Sequence, residues 1–422
     1  MRFNFVCVTI KYGEFSMKDI IIIGAGPAGM MAAISAASLG ASVQIVEKNE
    51  APGLKLLITG KGRCNVTNNC DEQTLLSEVA HNPKFLYSAF YQFSAQDTMS
   101  FFENLGIKLK TERGGRVFPE SDRSSDIRDA LACCVKDYGI EIHHDEIQKI
   151  SVEEKSVQLI GKRIYNAKRC IIATGGLSYP QTGSTGDGYV FAKSIGHSIV
   201  DPRPSLIGLK CKQSFCCELS GLTLKNVAVS FYQNGKCLYK DFGELLFTHV
   251  GVSGPTVLSA SAHFDDFTQA LITIDFKPAL THEQLDARLL REFSENMNKT
   301  VLNAIEGVLP KKLLPILLEY CNINAYKKVH QITKAEREQI VNALKEFSLD
   351  LIGKEGIKKA IITAGGVAVN EVSPKTMASK LCDKIYFAGE VLEVDAYTGV
   401  FNLQIAFSTG YLAGKSAAED VL

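Results

Sequence analysis

An α/β fold built on a buried parallel sheet is predicted for this 422-residue chain by three observations. Two short β-branched runs near the N-terminus enclose a glycine-rich turn and a small-residue helical pattern. A further apolar run near residue 172 ends in small residues, and another near residue 387 ends in glycine and an acid. The stretch between these two runs changes character, first to short alternating segments and then to amphipathic ones, as an inserted region would.

Asp19-Ile20-Ile21-Ile22-Ile23 lacks polar alternation, as expected of a strand covered on both faces. Gly24-Ala25-Gly26-Pro27-Ala28-Gly29 follows it, then a helical run from Met30 to Leu39 closed by Gly40. Ser42–Glu47 reads as a second strand with an acid at its end. This is a βαβ unit with the dinucleotide-binding fingerprint in its first turn, the Rossmann pattern. Gly24 permits the tight turn, Gly26 lets a phosphate approach the backbone, and Gly29 lets the helix pack closely on the strand. The helix start, with Pro27 and Ala28 in its first turn, offers free N–H groups and a partial positive charge to a pyrophosphate. Glu47 can accept hydrogen bonds from an adenosine ribose.

The fingerprint alone suits FAD or NAD, and three features favour FAD. Ile171-Ile172-Ala173-Thr174-Gly175-Gly176 is a strand ending in small residues, which lets the chain pass close to a bound cofactor. Ile385-Tyr386-Phe387-Ala388-Gly389-Glu390 is a late strand ending in glycine and an acid. It leads to Gly399-Val400-Phe401-Asn402-Leu403-Gln404 and a small-residue helix. In flavoproteins of the two-dinucleotide-fold type such a strand returns to the first domain. Its acid contacts the ribityl–pyrophosphate, and the next helix faces the flavin pyrimidine. Finally, no second GxGxxG occurs in a strand–turn–helix context, because the glycines of Thr182–Gly188 follow no apolar strand. NAD(P)H is therefore a transient electron donor at most.

Composition narrows the remaining classes. The 46 basic and 46 acidic residues cancel, so no global field draws the chain to nucleic acid or anionic lipid. The twelve cysteines form no CxxC pair, which argues against a zinc ribbon, an iron–sulfur cluster or a dithiol motif, and no metal is expected. No apolar run approaches the roughly 18 residues of a membrane span. Free thiols and the absence of a signal-peptide core point to the cytoplasm. Met17-Lys18-Asp19 precedes the first strand as a natural start would, so residues 1–16 read as an upstream extension or tag.

Longer runs carry a family resemblance. Lys55-Leu56-Leu57-Ile58-Thr59-Gly60-Lys61-Gly62-Arg63-Cys64-Asn65-Val66-Thr67-Asn68 resembles the signature of the bacterial YhiN/BaiN-like flavoproteins, NAD(P)/FAD-dependent oxidoreductases that include aminoacetone oxidase. Gly115–Pro119, Ala173–Pro180, Phe247–Pro255 and Thr363–Val367 match as well. Leu54 and Val400 depart from the pattern, standing where a basic residue and a second glycine are expected. The resemblance implies a Rossmann-type FAD-binding domain of residues 17–195 and 356–422. It also implies a β-barrel-like middle domain of 196–277 and 349–355, and a small helical insert of 278–348. The alternating runs Val227–Phe231 and Leu271–Ile274 agree with the barrel, and Thr281 is a candidate N-cap for the insert.

The flavin carries the redox chemistry, and the protein positions substrate and moves protons. The polar loop Thr59–Asn65 is placed beside the isoalloxazine. Arg63 or Lys61 can stabilise negative charge on reduced flavin or hold a substrate anion. Cys64, beside these cations, is a candidate proton donor through a lowered pKa, weighed against a packing role. Asn65 is expected to orient the loop or flavin, and His249 to face substrate from the middle domain. The cofactor contacts expected besides Gly24, Gly26, Pro27, Ala28, Gly29 and Glu47 are Lys48, Lys55, Gly60, Arg63, Cys64 and Ile147. Thr174, Gly175, Gly389, Glu390, Asn402, Leu403 and Gln404 complete that set.

The expected function is an FAD-dependent oxidoreductase. Its foremost form reduces an activated C=C bond with electrons from NAD(P)H, for example uridine to dihydrouridine in ribosomal RNA. The alternatives are oxidation of a small amine such as aminoacetone and non-catalytic FAD binding. The partner is accordingly a small molecule or ribosomal RNA, the latter through a local site of Lys61, Arg63, Arg113 and Arg116. No membrane partner is expected, and the oligomeric state stays open.

Overall fold

The computed structural model describes residues 17–264, 266–399 and 401–422, so the expectations about residues 1–16 and Val400 lie outside the described residues. The chain divides into two compact units. The first ends at Pro204 and resumes at Ile357, and the second is Ser205–Gly356. Each has its own hydrophobic core.

A seven-stranded sheet organises the first unit. The strand Lys18–Ile23 lies at its centre, fully buried over Ile20–Ile23, with Val43–Glu47 parallel on one side and Ile164–Ile172 parallel on the other. Glu141–His144 extends the sheet beyond Val43–Glu47. Ile164–Ile172 serves two neighbours. Its first half closes an antiparallel meander with Val157–Ile160, and its second half pairs in parallel with the late strand Ile385–Phe387. The return of a strand from more than two hundred residues away is thus an ordinary sheet pairing at Cys170–Ile172.

The fingerprint helix Pro27–Ser38 packs on this sheet and against the C-terminal helix Phe401–Glu419. Both helices are rich in small residues on their contact face. A Cβ at Gly410 would sit 2.4 Å from the Ala28 carbonyl oxygen, and one at Gly414 would sit 2.1 Å from that of Ala32. Only glycine permits this approach, which is why a run that looked merely helix-compatible holds the termini of the unit together.

The second unit is a closed barrel in the order Leu209–Cys211, Gly251–Ser253, Lys236–Thr248, Thr223–Gln233, Ala270–Asp275 and Phe347–Lys354. Its long hairpin turns at Asn234-Gly235, both left-handed, as a two-residue turn requires. Between the last two strands run the helices His282–Glu295, Leu314–Tyr320 and Lys334–Lys345, with Thr281 and Gln284 forming the capping box of the first. Strand Ile199–Ser205 pairs with Ile362–Val367. The division between units therefore falls after Pro204, later than the alternating pattern from residue 196 suggests.

Candidate functional site

The fingerprint turn follows from its glycines. Gly24 is left-handed at φ +102°, and a Cβ there would lie 2.6 Å from the Ala173 carbonyl oxygen. At Gly29 a Cβ would lie 1.9 Å from the Gly24 carbonyl oxygen, so helix and turn are in direct backbone contact. Gly26 differs: it has an ordinary φ of −76°, and a Cβ there would meet nothing within 4 Å. The helix it precedes has no side-chain cap and no acid in its first turn. Open space, amides without intrahelical partners and the positive end of a helix coincide, and these features fit a dinucleotide pyrophosphate.

Glu47 is buried at the end of the second strand. Its Oε2 accepts the Ala25 amide at 2.7 Å, and its Oε1 accepts the Asn49 amide at 2.8 Å and Asn49 Nδ2 at 2.7 Å. The acid expected to meet a ribose thus also locks the fingerprint turn. Lys48 is paired with Asp187 at 2.5 Å and bonded to Thr185, and Ile147 belongs to the core.

The late strand reaches the same place. Gly389 is left-handed, and a Cβ there would lie 2.8 Å from Ala28 Cβ, in the fingerprint helix. Next to it, Glu390 forms a hub: Oε2 accepts Lys55 Nζ at 2.5 Å, and Oε1 accepts Ser178 Oγ at 2.8 Å and the Thr363 amide at 2.9 Å. Four chain segments meet on this carboxylate. Glu390→Ala should cost about 2–4 kcal/mol of stability, because a half-buried Lys55 and the Thr363 N–H lose their partner. Urea denaturation measures it, and the added change Lys55→Met should recover part of the loss. Thr174 Oγ1 and Tyr189 Oη are buried close to this hub without a hydrogen-bond partner, polar positions that a bound ligand or water can satisfy. Gly175 is left-handed at φ +72° beside Ser184.

The loop after the βαβ unit is held in an unusual backbone. Gly60, Lys61, Gly62 and Cys64 all have positive φ, at 57°, 59°, 87° and 52°. For Lys61 and Cys64 this costs on the order of 1–3 kcal/mol each, so the surrounding structure imposes it. The reading of Cys64 as a cation-activated thiol is corrected here. Its side chain is 0% exposed, and burial pushes the thiol up to about 12 despite a bond from Thr59. Its ordinary value is 9.0. Between these two values the unfolded chain ionises the thiol and the folded one does not, so this burial lowers stability as pH rises through that window. Cys64 should resist iodoacetamide at pH 8 while exposed Cys133 and Cys217 react, as mass spectrometry of peptides can check. Alkylation of all three at similar rates would contradict the burial.

Arg63 is also reassigned. Its guanidinium pairs with Glu112 at 2.5 Å and Asp122 at 2.6 Å and lies 4.1 Å from the centre of the Phe118 ring. Two carboxylates neutralise it, so it anchors the loop to the antiparallel hairpin of Leu109–Thr111 and Arg116–Pro119 and to the turn after it, rather than presenting a free cation. Asn65 has a buried Oδ1 that accepts no hydrogen bond among the described residues. Lys61 is exposed.

At the C-terminal helix, Asn402 exchanges two bonds with Ala396, at 2.9 and 2.7 Å, and Leu403 is half-buried. Gln404 is a correction. It is 0% exposed. Its Oε1 accepts Thr67 Oγ1 at 2.6 Å and Thr98 Oγ1 at 2.9 Å, and its Nε2 donates to the Phe93 and Ser94 carbonyls and to Ser408 Oγ. With every donor and acceptor used inside the core, it has none left for a cofactor. His249 is exposed in the turn between Lys236–Thr248 and Gly251–Ser253, in the second unit. Ser178, Thr363, Asn49 and Gly183 also belong to the first unit's site; Ser178 and Thr363 lie in runs that match the family, whereas Asn49 carries no local sequence signal that marks it.

No helix among the described residues is long and apolar enough to cross a membrane, and no group of His, Cys, Asp or Glu among them could hold a metal ion.

Residues 18–416 match the family model described as the HI0933-like protein Rossmann domain. The chain is 32% identical over 412 residues to the 3-dehydro-bile acid delta(4,6)-reductase of Clostridium scindens, covering 96% of this chain and 100% of that one. It is 32% identical over 407 residues to the ribosomal RNA dihydrouridine synthase of Haemophilus influenzae, covering 94% and 98%. Among solved structures, the 3-ketosteroid-Δ4-(5α)-dehydrogenase of Rhodococcus jostii shares the fold at 12% identity, with a TM-score of 0.52 over 98% of this chain and 99% of that one.

Proposed function

The chain belongs to the HI0933-like Rossmann family, whose YhiN/BaiN-like members are FAD-dependent oxidoreductases, and from that premise we propose that it reduces a C=C bond conjugated to a carbonyl, with electrons from NAD(P)H. The carrying observation is similarity along nearly the whole chain to two reductases whose reactions share this chemistry. A 3-dehydro-Δ4,6 steroid and the uracil 5,6 bond are both unsaturated beside a carbonyl. Uridine in ribosomal RNA is the foremost substrate. The exposed cations Lys61, Arg113 and Arg116 support it, on the loop and hairpin joined by Arg63, Glu112 and the Asn68–Gly114 bond of 3.0 Å.

When bound, FAD supplies hydride transfer to and from carbon. The protein's part is to hold and orient. The amides of Ala28 and Gly29 receive the pyrophosphate, and Glu47 the adenosine ribose. Lys55 and Glu390 close the far side, where the late strand crosses the fingerprint helix. Asn65 Oδ1, the unpaired acceptor, takes an N–H of cofactor or substrate.

The test is an anaerobic titration of the FAD-loaded protein. NADH or NADPH should bleach the yellow absorption, and a uridine-containing ribosomal RNA fragment or a 3-oxo-Δ4 steroid should restore it. Bleaching by aminoacetone, with none by either nicotinamide, would replace this reading with an amine oxidase.

A further inference from the structure

A dyad that no sequence motif marks lies at the base of the C-terminal helix. Strand Val79–His81 pairs antiparallel with Asp395–Ala396, with Asp395 opposite His81. His81 Nδ1 lies 2.5 Å from Asp395 Oδ1. The carboxylate side chain is 1% exposed and the imidazole side chain 31%, so a buried acid backs a ring that reaches solvent. Arg203 Nη2 is 3.0 Å from the other ring nitrogen, Nε2.

The tautomer follows from the partners. A guanidinium only donates, so Nε2 is the acceptor and the single N–H of the neutral ring sits on Nδ1, donating to Asp395. This is the arrangement that fixes the tautomer and orientation of an imidazole and turns Nε2 away from the carboxylate.

Position supports a role in chemistry. Ala396, next to Asp395, is bonded in both directions to Asn402 in the first turn of the helix expected to face the flavin. Asn68, from the signature run, donates to the Gly399 carbonyl at 3.4 Å in the same segment. The strand that carries Asp395 therefore adjoins the helix expected to face the flavin.

We propose that His81, oriented by Asp395, delivers the proton that completes reduction of the conjugated C=C bond. The inference rests on the reductase reading above. The π bond breaks as the β-carbon receives a hydride, two electrons with one hydrogen, from reduced flavin. The α-carbon of the resulting enolate takes a proton from His81 Nε2, leaving oxidised flavin and neutral imidazole. Solvent returns the proton, and a reduced nicotinamide returns the hydride. A substrate carbonyl oxygen that engages Arg203 would release Nε2 to take up its proton.

The experiment uses FAD-loaded His81→Asn, whose side-chain amide can still donate to Asp395 and keep the strands joined. Reduction by NAD(P)H and reoxidation by ferricyanide, which takes electrons alone, should match the unmodified protein. Reoxidation by a conjugated enone should slow about 100-fold or more, the usual contribution of a general acid. Independently of turnover, the unmodified protein should show a downfield Nδ1 proton resonance that is absent from His81→Asn and Asp395→Asn. Enone reoxidation at the unmodified rate, equal slowing of all three half-reactions, or no downfield proton would overturn the proposal. If the unmodified protein is itself never reoxidised by an enone, the reductase reading fails first and carries this proposal with it.

Discussion

Gly26→Val should lose FAD while keeping its fold. The prediction turns on a contrast inside one motif. Gly26 has φ −76° and ψ −179°, a conformation that valine adopts readily, and a Cβ there touches no protein atom within 4 Å. The added side chain therefore starts into open space, which we assign to the pyrophosphate. Affinity for FAD, read by fluorescence titration of the apoprotein, should fall at least about 100-fold, or about 3 kcal/mol. The melting temperature of the apoprotein should stay within about 2 °C. Gly29→Ala should do the opposite: with a Cβ 1.9 Å from the Gly24 carbonyl oxygen, the helix must move off the strand, and the apoprotein itself is destabilised. A Gly26→Val protein that binds FAD normally would remove the cofactor from this turn.

Gln404→Leu should cost the apoprotein about 2 kcal/mol or more. The change takes from the buried Thr67 hydroxyl its bond to Gln404 and removes one bond each from Thr98, Ser408 and the Phe93 and Ser94 carbonyls, which keep the Thr98–Ser94 bond of 3.1 Å and the Ser408–Phe93 bond of 2.6 Å. Buried groups that lose a partner cost about 1–3 kcal/mol each before relaxation. Urea denaturation without flavin measures the loss. The rise in melting temperature that FAD adds should be nearly unchanged, because Gln404 has no polar group left for the cofactor. A variant of normal stability that binds FAD poorly would return Gln404 to the ligand site, as its place after the late strand first suggested.

Several elements were legible because their causes are local. The isoleucine run Ile20–Ile23 needs cover on both faces whatever surrounds it, and it forms the central strand. Gly24 and Gly29 are required by the geometry of one turn. Thr281 and Gln284 cap a helix through bonds spanning three residues. The misassignments share another cause. Cys64 follows Arg63 in the chain, which suggested an activated thiol. Yet the positive φ of Cys64 turns its side chain into the core, while Glu112 and Asp122 take the neighbouring guanidinium. Adjacency in sequence fixed neither direction nor partner.

Taken alone, the amino-acid order determined the βαβ unit, its glycine turn and the family, since these depend on backbone sterics and periodicity within a few tens of residues. Tertiary structure decided which charges remain available. Lys48, Lys55, Arg63 and Glu390 all find opposite charges that are distant in sequence, and His81 finds Asp395 across 314 positions. An electrostatic interaction depends on separation in space and on burial, and neither is written in the spacing of residues along a chain.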